Sequence, residues 1–153
     1  MIERERKFLL TRMPDDLGPA THIRQGYLAR DGGTVVRVRD ADGDLTLTIK
    51  GSGTRDRTEV ELPLERADLD ELWPLTEGRR VEKDRHRVPL DDGLTAEVDV
   101  FGGHLDGLRV VEVEFGEDDD PDAFEPPDWF GDEVTEDGRY SNAALSDAGG
   151  PPG

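Results

Sequence analysis

Regular alternation of charged and apolar residues is the feature that most constrains the fold of this chain. Residues 111–115 alternate Glu112 and Glu114 with valine and phenylalanine. Because successive side chains of a strand point to opposite faces, this period of two predicts strands with one apolar and one ionic face. The same pattern predicts strands over residues 2–10, 35–39, 45–50, 58–62, 83–87, 96–100 and 111–115.

Turn-forming pairs separate several of these segments. Asp42-Gly43, Asp92-Gly93 and Gly102-Gly103 tolerate the positive φ values that tight hairpin connections need. We therefore expect mainly antiparallel strands. Two short helices are expected over residues 65–73, before Pro74, and over residues 141–148, where they would cover an apolar sheet face.

The ionic faces of the predicted strands are charged almost without interruption. A sandwich with these faces in water would be expected to carry Ser, Thr, Asn and Gln there as well. Closing the sheet into a barrel with the ionic face inside would instead gather the charges around one cavity. The acids are Glu3, Glu5, Glu59, Glu61, Glu97, Asp99, Glu112 and Glu114, and the bases are Lys7, Arg37, Arg39, Lys50, Lys83, Arg85 and Arg87.

Such an interior has the chemistry of a site for a phosphate-rich anion and divalent metal. A guanidinium can bind two phosphate oxygens at once, and a lysine adds a compact positive charge. Carboxylate oxygens match Mg²⁺ or Mn²⁺. Because burying unpaired charge is costly, these groups must be wet, mutually paired and bound to ligand. We expect a small anion bridged to the acids by metal.

Composition excludes several other classes of protein. The 153 residues fit one domain, and the net charge of −18 argues against an extended nucleic-acid surface. The absence of cysteine excludes disulfides and thiolate metal sites. No apolar run reaches the roughly 20 residues that cross a bilayer, and residues 1–10 lack the apolar region of a signal peptide. We expect a cytoplasmic protein without a membrane partner, either a monomer or a homodimer.

The amino-terminal segment Glu3-Arg4-Glu5-Arg6-Lys7 resembles the E-x-E-x-K signature of the CYTH superfamily, the triphosphate tunnel metalloenzymes. The length and the segments around Tyr27 and Tyr140 are most similar to its small bacterial branch of inorganic triphosphatases. The similarity continues in order through Gln25-Gly26-Tyr27-Leu28, Arg37-Val38-Arg39, Thr48-Ile49-Lys50-Gly51, Glu59-Val60-Glu61, Glu82-Lys83-Asp84-Arg85, Glu97-Val98-Asp99-Val100-Phe101, Glu112-Val113-Glu114-Phe115, and Glu133-Val134-Thr135 with Arg139-Tyr140-Ser141-Asn142.

The resemblance implies a mainly β (α+β) fold, an eight-stranded antiparallel β-barrel tunnel with a charged interior and a few covering helices. It spans residues 1–146 as one CYTH-like domain, and residues 147–153 are expected to form a disordered tail. The implied reaction is hydrolysis of a triphosphate with Mg²⁺ or Mn²⁺.

The resemblance also implies roles for individual residues. Lys7 and Tyr27 would be catalytic, Tyr27 by relaying a proton or, alternatively, as a hydrogen-bonding wall of the tunnel. The phosphate-binding residues would be Arg37, Arg39, Lys50, Lys83, Arg85, Arg87 and Arg139. The metal ligands would be Glu3, Glu5, Asp99, Glu112 and Glu114, with Glu59, Glu61 and Glu97 in support.

Three functions remain open from the sequence. The first is hydrolysis of inorganic triphosphate to pyrophosphate and phosphate. The second is an enzyme acting on an organic triphosphate, such as thiamine triphosphate or a nucleotide, or cyclising ATP as class IV adenylate cyclases do. The third is a non-catalytic polyphosphate-binding module, which would gain nothing from the acidic pairs. The small number of Trp and Tyr residues, two of each, favours the inorganic substrate over a base-containing one.

Overall fold

The computed structural model describes residues 2–153, which fold mainly into antiparallel β-strands. The strands are β1 (Ile2–Leu10), β2 (Ala20–Asp31), β3 (Thr34–Ala41), β4 (Asp44–Lys50), β5 (Asp56–Pro63), β6 (Arg80–Pro89), β7 (Thr95–Phe101), β8 (Arg109–Glu114) and β9 (Phe130–Glu133). The helices are α1 (Arg66–Leu72) and α2 (Asn142–Ser146), and short 3-10 turns occur at Trp73–Thr76, Gly103–Leu105, Pro121–Ala123 and Gly138–Tyr140.

The strands close into an eight-stranded barrel. Their order is β5-β4-β3-β2-β6-β7-β8-β1, and β5 pairs back onto β1. One edge of β1 serves two partners, since Ile2, Glu3 and Arg4 pair with β5 whereas Phe8 and Leu10 pair with β9. The predicted eight-stranded antiparallel barrel is confirmed, with β9 as one additional strand outside it.

The apolar core lies outside the barrel wall rather than within it. On β1 and β8, Phe8, Val111 and Val113 face outward and pack against Phe124 and Phe130 of the segment that follows β8. On the opposite side, Leu69 of α1 covers Val38 and Leu45. Burial of these outer faces provides the hydrophobic stabilisation, and the inner faces remain charged.

The local predictions agree closely with the structure. The β3–β4 hairpin turns at Asp42 and Gly43, with φ values of 49° and 93°. Helix α1 lies within the predicted residues 65–73, and α2 begins after Ser141, whose hydroxyl accepts a hydrogen bond from the Ala144 amide at 3.1 Å. Beyond α2, residues 147–153 contain neither helix nor strand, and their disorder remains a prediction. Across residues 2–153, the helices are all too short or too polar to span a bilayer.

Candidate functional site

The inner faces of the strands line a tunnel with two adjacent compartments. The first has a volume of about 360 Å³ and the second about 610 Å³, and Arg39, Glu59, Arg85 and Glu114 line both. Period two explains this placement, because alternate residues of each strand share the inner face. The predicted residues lining the first compartment are Glu3, Glu5, Lys7, Tyr27, Arg37, Arg39, Lys50, Glu59, Arg85, Glu112 and Glu114, and the second adds Glu61, Arg87 and Glu97.

The three lysines of the predicted site each contact a carboxylate. Lys7 Nζ lies 3.5 Å from Glu112 and donates to the Tyr140 carbonyl at 3.0 Å. The other two pairs are Lys50 with Glu3 at 3.0 Å and Lys83 with Asp99 at 2.7 Å. Burial opposes the charge of Lys7, but the neighbouring Glu112 and Glu5 carboxylates outweigh it and raise the Lys7 pKa.

Arg85 is held by two acids of the adjacent strand. Its Nε and Nη2 donate to the two oxygens of Asp99 at 2.8 and 2.9 Å, and Nη1 lies 3.4 Å from Glu97. The β6–β7 register places Arg85 directly opposite Asp99, which explains the two parallel hydrogen bonds. Burial disfavours the Asp99 carboxylate, but Arg85 and Lys83 together lower its pKa below the ordinary value.

Arg37 and Arg39 form no ion pair with any residue in the described range 2–153. Arg37 is buried, its Nη2 lies 3.4 Å from the Thr48 hydroxyl, and its Nε lacks a hydrogen-bond partner in that range. Arg39 Nε donates to the Gln25 amide oxygen at 2.9 Å. Burial, together with the positive charges of Arg37 and Arg85, lowers the Arg39 pKa to about 9. An anion bound beside these two guanidiniums would therefore relieve a large desolvation cost.

The carboxylates beside these arginines repel one another. Burial and the neighbouring Glu112 raise the pKa of Glu5 well above its usual range. A hydrogen bond with Glu3, followed by burial, raises the pKa of Glu59 to about 7. Burial opposes ionisation of Glu3, but its bonds to Glu59 and Lys50 hold the Glu3 pKa at about 2. The acids of the tunnel therefore share protons and lysines to offset their repulsion.

These acids have a suitable donor chemistry for a divalent cation. Within residues 2–153, no three acidic or histidine side chains already converge on one point as a metal site would require. Glu5 lies opposite Glu114 in the β1–β8 register, two pairs along from Lys7 and Glu112. Burial is the main cause of the raised Glu5 pKa and repulsion by Glu112 is the second, and a cation held by these carboxylates would relieve that repulsion. The residues thus fit a metal such as Mg²⁺ or Mn²⁺.

Three predicted site residues lie away from the lumen, and a fourth, Arg87, is exposed within it. Arg139 is exposed and donates to Asp137 at 2.7 Å, and it is not among the residues that line either compartment in the described part of the chain. Lys83 and Asp99 are buried together in the wall. Arg87 is exposed in the second compartment, where it lies 3.2 Å from Glu97. The roles assigned to these residues remain predictions.

Three buried or half-buried polar residues of the site carried no assigned role in the sequence analysis. Gln25 bonds Arg39 and also Tyr27, whose hydroxyl lies 3.1 Å from the amide nitrogen. Thr48 contacts Arg37, and Asn142 Oδ1 accepts a hydrogen bond from Lys83 at 3.0 Å. The sequence does contain a signal for Gln25. It lies two residues before Tyr27, and strand residues two apart share one face, so Gln25 is expected on the same face as Tyr27.

Fold and site together define a class of protein: a closed antiparallel barrel whose charged tunnel is built to bind a small anion. A model of the CYTH domain family matches residues 1–137. The chain belongs to the CYTH domain family, as its sequence predicted, and this family implies a divalent metal cofactor.

Two relatives extend along nearly the whole chain. The inorganic triphosphatase of Nitrosomonas europaea is 47% identical over 147 residues, which cover 95% of this chain and 97% of that protein. The inorganic triphosphatase of Acetivibrio thermocellus is 37% identical over 147 residues, covering 94% of this chain and 92% of that protein. The class of enzyme named for both relatives is the one predicted from the sequence.

Solved structures agree with the fold. The crystal structure of the inorganic triphosphatase NE1496 has a TM-score of 0.72 and 46% identity, covering 99% of this chain and 97% of that one. A conserved hypothetical protein from Pyrococcus furiosus has a TM-score of 0.57 and 19% identity, covering 76% of this chain and 80% of that one, and at that identity it supports the fold alone.

Proposed function

We propose that this protein hydrolyses inorganic triphosphate to pyrophosphate and phosphate, with Mg²⁺ or Mn²⁺ as cofactor. The observation that carries the proposal is a pair of arginines, the buried Arg37 and the half-buried Arg39, that lack an acidic partner in residues 2–153 and lie beside several carboxylates. The two relatives named inorganic triphosphatase support the same activity.

The basic residues would bind and orient the triphosphate. Arg37 and Arg39 would each bind phosphate oxygens and stabilise the charge that develops on the transferred phosphoryl group. Lys7 and Lys50 would bind the same anion, since both residues line the first compartment. The other proposed phosphate-binding residues are Lys83, Arg85, Arg87 and Arg139, of which Lys83 and Arg85 also contact Asp99. Catalysis of this kind depends mainly on positioning and electrostatics.

The acidic residues would hold the metal. Glu3, Glu5, Asp99, Glu112 and Glu114 are the proposed ligands, supported by Glu59, Glu61 and Glu97. A bound divalent cation would supply positive charge to the phosphate oxygens and lower the pKa of a bound water. Asp99 would join the ligands only by exchanging a contact with Lys83 or Arg85, because these cations now contact both of its oxygens.

Tyr27 and Lys7 are proposed as the catalytic pair. Tyr27 is buried in the first compartment, where Lys7 also lies. A phenol there can donate or relay a proton, and the lysine can stabilise the resulting charge.

The lining of the tunnel favours an inorganic substrate. Tyr27 is the only aromatic side chain that lines either compartment within residues 2–153. A nucleobase or thiamine ring would need an apolar or aromatic recess beside the phosphates. An organic triphosphate is therefore the second candidate, and a polyphosphate-binding module the third. We further propose a cytoplasmic location, with a monomer and a homodimer as the two candidate assembly states.

The test is phosphate release from inorganic triphosphate, with ATP and thiamine triphosphate in parallel, with and without Mg²⁺ or Mn²⁺. Glu5→Gln should abolish activity without loss of folding, because the raised pKa of Glu5 indicates that an uncharged group is tolerated there. Glu71→Gln makes the same chemical change on the exposed face of α1 and should leave activity intact.

Each other outcome would replace the proposal with a named alternative. Faster release from ATP or thiamine triphosphate would make the protein an organic triphosphatase. Formation of cyclic AMP would make it a cyclase. Tight binding of triphosphate without turnover in any metal would make it a polyphosphate-binding module.

A further inference from the structure

Gln25 lies fully buried in the tunnel wall, and both of its side-chain hydrogen bonds go to residues of the proposed site. Its relative exposure is 0%. Its amide oxygen accepts from Arg39 Nε at 2.9 Å, and its amide nitrogen lies 3.1 Å from the Tyr27 hydroxyl. A buried amide is stable only where its donors and acceptors find partners, so this geometry is strongly constrained.

Strand geometry explains how one side chain reaches both partners. Gln25 and Tyr27 are two residues apart on β2 and therefore share its inner face. Arg39 lies directly opposite Gln25 in the β2–β3 register. The pairing then shifts between Tyr27 and Ala29, so the shared face is regular up to Tyr27. The Gln25 side chain therefore lies between the Nε atom of Arg39, a proposed phosphate-binding residue, and the hydroxyl of Tyr27.

The direction of both hydrogen bonds follows from the arginine. A guanidinium N–H can only donate, so the Gln25 atom facing Arg39 must be the carbonyl oxygen. The amide nitrogen must then face Tyr27, and it donates to the phenol oxygen. With that oxygen acting as acceptor toward Gln25, the hydroxyl proton of Tyr27 has to point elsewhere. Tyr27 lines the first compartment, so the proton is available to a ligand in the tunnel.

We propose that Gln25 is a positioning residue that aligns Arg39 for phosphate binding and directs the Tyr27 hydroxyl proton into the tunnel. This inference rests on the proposed triphosphatase activity and deepens it. Gln25 touches neither substrate nor metal in this role. It acts through two neighbours, one that binds the anion and one that moves a proton.

Two variants test the hydrogen bonds that Gln25 makes with Arg39 and Tyr27. Gln25→Glu keeps the size of the side chain. However, the introduced carboxylate would accept a hydrogen bond from the Tyr27 hydroxyl and form an ion pair with Arg39. KM should therefore rise and kcat should fall, each by about tenfold, the scale of a single group in proton transfer or charge stabilisation. As the pH falls and the introduced carboxyl becomes protonated, both defects should shrink. Gln25→Met removes both hydrogen bonds and should show no such recovery.

A double-mutant cycle tests whether Gln25 acts through Tyr27. If it does, Gln25→Met should lower kcat much less in a Tyr27→Phe background than in the wild type, because the proton is already absent. Thr76→Val is the matched control for loss of a buried hydrogen bond, since Thr76 is also fully buried but bonds the Trp73 carbonyl outside the tunnel. Its kcat and KM should match those of the wild type.

Calorimetric titration with inorganic triphosphate provides a readout that is independent of turnover. Both Gln25 variants should weaken binding if Arg39 depends on Gln25 for its alignment. A wild-type protein that binds triphosphate but does not hydrolyse it would refute the proposed activity. Weaker binding of triphosphate by the Gln25 variants would still support the proposed alignment of Arg39 by Gln25. If the enzyme is active, two results would overturn the inference. One is that Gln25→Glu leaves kcat, KM and the affinity for triphosphate unchanged. The other is that the effects of Gln25→Met and Tyr27→Phe on kcat multiply, as those of independent residues do.

Discussion

Buried arginines in this tunnel differ in whether an acid compensates their charge. Arg85 is bonded to both oxygens of Asp99, so its charge is largely compensated in the folded protein. Arg37 is equally buried, but its Nε has no hydrogen-bond partner within residues 2–153. Retaining an uncompensated guanidinium costs stability, and the anion that we propose Arg37 to bind would explain its retention. Stability and function should therefore separate at these two positions.

Arg37→Met should lower kcat/KM by about 10²-fold while leaving the free energy of unfolding unchanged or increased, because it removes a desolvated charge and one donor to the transition state. Arg85→Met should instead reduce the free energy of unfolding by about 3–5 kcal/mol, because it leaves Asp99 buried beside only Lys83. Urea unfolding of the ligand-free protein, with steady-state kinetics of the same preparations, measures both quantities.

Arg12→Met is the control for these two substitutions. Arg12 is exposed, and its guanidinium contacts Asp128 rather than the lumen. We expect little change in either stability or kcat/KM. A loss of stability in Arg37→Met as large as in Arg85→Met would contradict the interpretation that Arg37 is held in place for a ligand.

At the scale of strands and helices, the sequence predicts the strands that carry charged residues on the inner face and mainly apolar residues on the outer face. β1, β7 and β8 carry acids or lysine inward and apolar residues outward, and all three were predicted. β2 reverses the pattern, since Ile23 and Tyr27 face inward and the charged Arg24 faces outward. β9 has only four residues, too few to show a period. Neither was predicted from alternation.

Strand order and register limit how much of the site can be predicted. Alternation identifies the inward charges, such as Lys7 and Glu112, but not their partners. Those partners depend on which strands become neighbours: Arg85 meets Asp99 because β6 pairs with β7 in one register. The position of Arg139 depends on a 3-10 turn after β9, for which the residue pattern gives no signal.

The β2–β6 pair carries a pH-sensitive contact on its outer face. His22 lies opposite Asp84 in the register, and His22 Nδ1 is 2.8 Å from that carboxylate. This hydrogen bond is the main reason that the His22 pKa is raised above 6.5, with burial opposing it slightly. A raised pKa means that the folded state binds the proton more tightly than the unfolded state. The contact therefore stabilises the protein below about pH 6.5 and loses this contribution as the pH rises through the folded pKa.

We expect the wild type to lose more free energy of unfolding between about pH 6 and pH 9 than His22→Gln does. The difference should be below about 1 kcal/mol, because the side chain is 46% exposed and water screens the pair. Urea unfolding at a series of pH values measures it. Asp84→Asn should reduce the same pH dependence, and parallel curves for wild type and His22→Gln would refute the assignment.

At the scale of the whole molecule, the negative charge is concentrated outside the tunnel. The net charge is −18, whereas the tunnel acids are largely matched by lysines and arginines. The loop after β8 illustrates the exterior, since Glu117, Asp118 and Asp120 are all exposed. Repulsion among such surface charges destabilises the compact state, although it favours solubility.

Raising the NaCl concentration from about 0.01 to 1 M should therefore raise the Tm of the metal-free protein, because the Debye length falls from about 30 to about 3 Å and surface repulsion is screened. The double variant Glu117→Gln, Asp118→Asn should be more stable than the wild type at low salt, and this advantage should vanish at high salt.

Arg85→Met serves as the internal control, because buried pairs are screened much less and its loss of stability should persist at every salt concentration. Thermal unfolding followed by circular dichroism in NaCl and in KCl measures all three proteins. A Tm that falls as salt rises would mean that surface ion pairs such as Arg6 with Glu133 outweigh the repulsion, and that the acidic exterior stabilises the barrel.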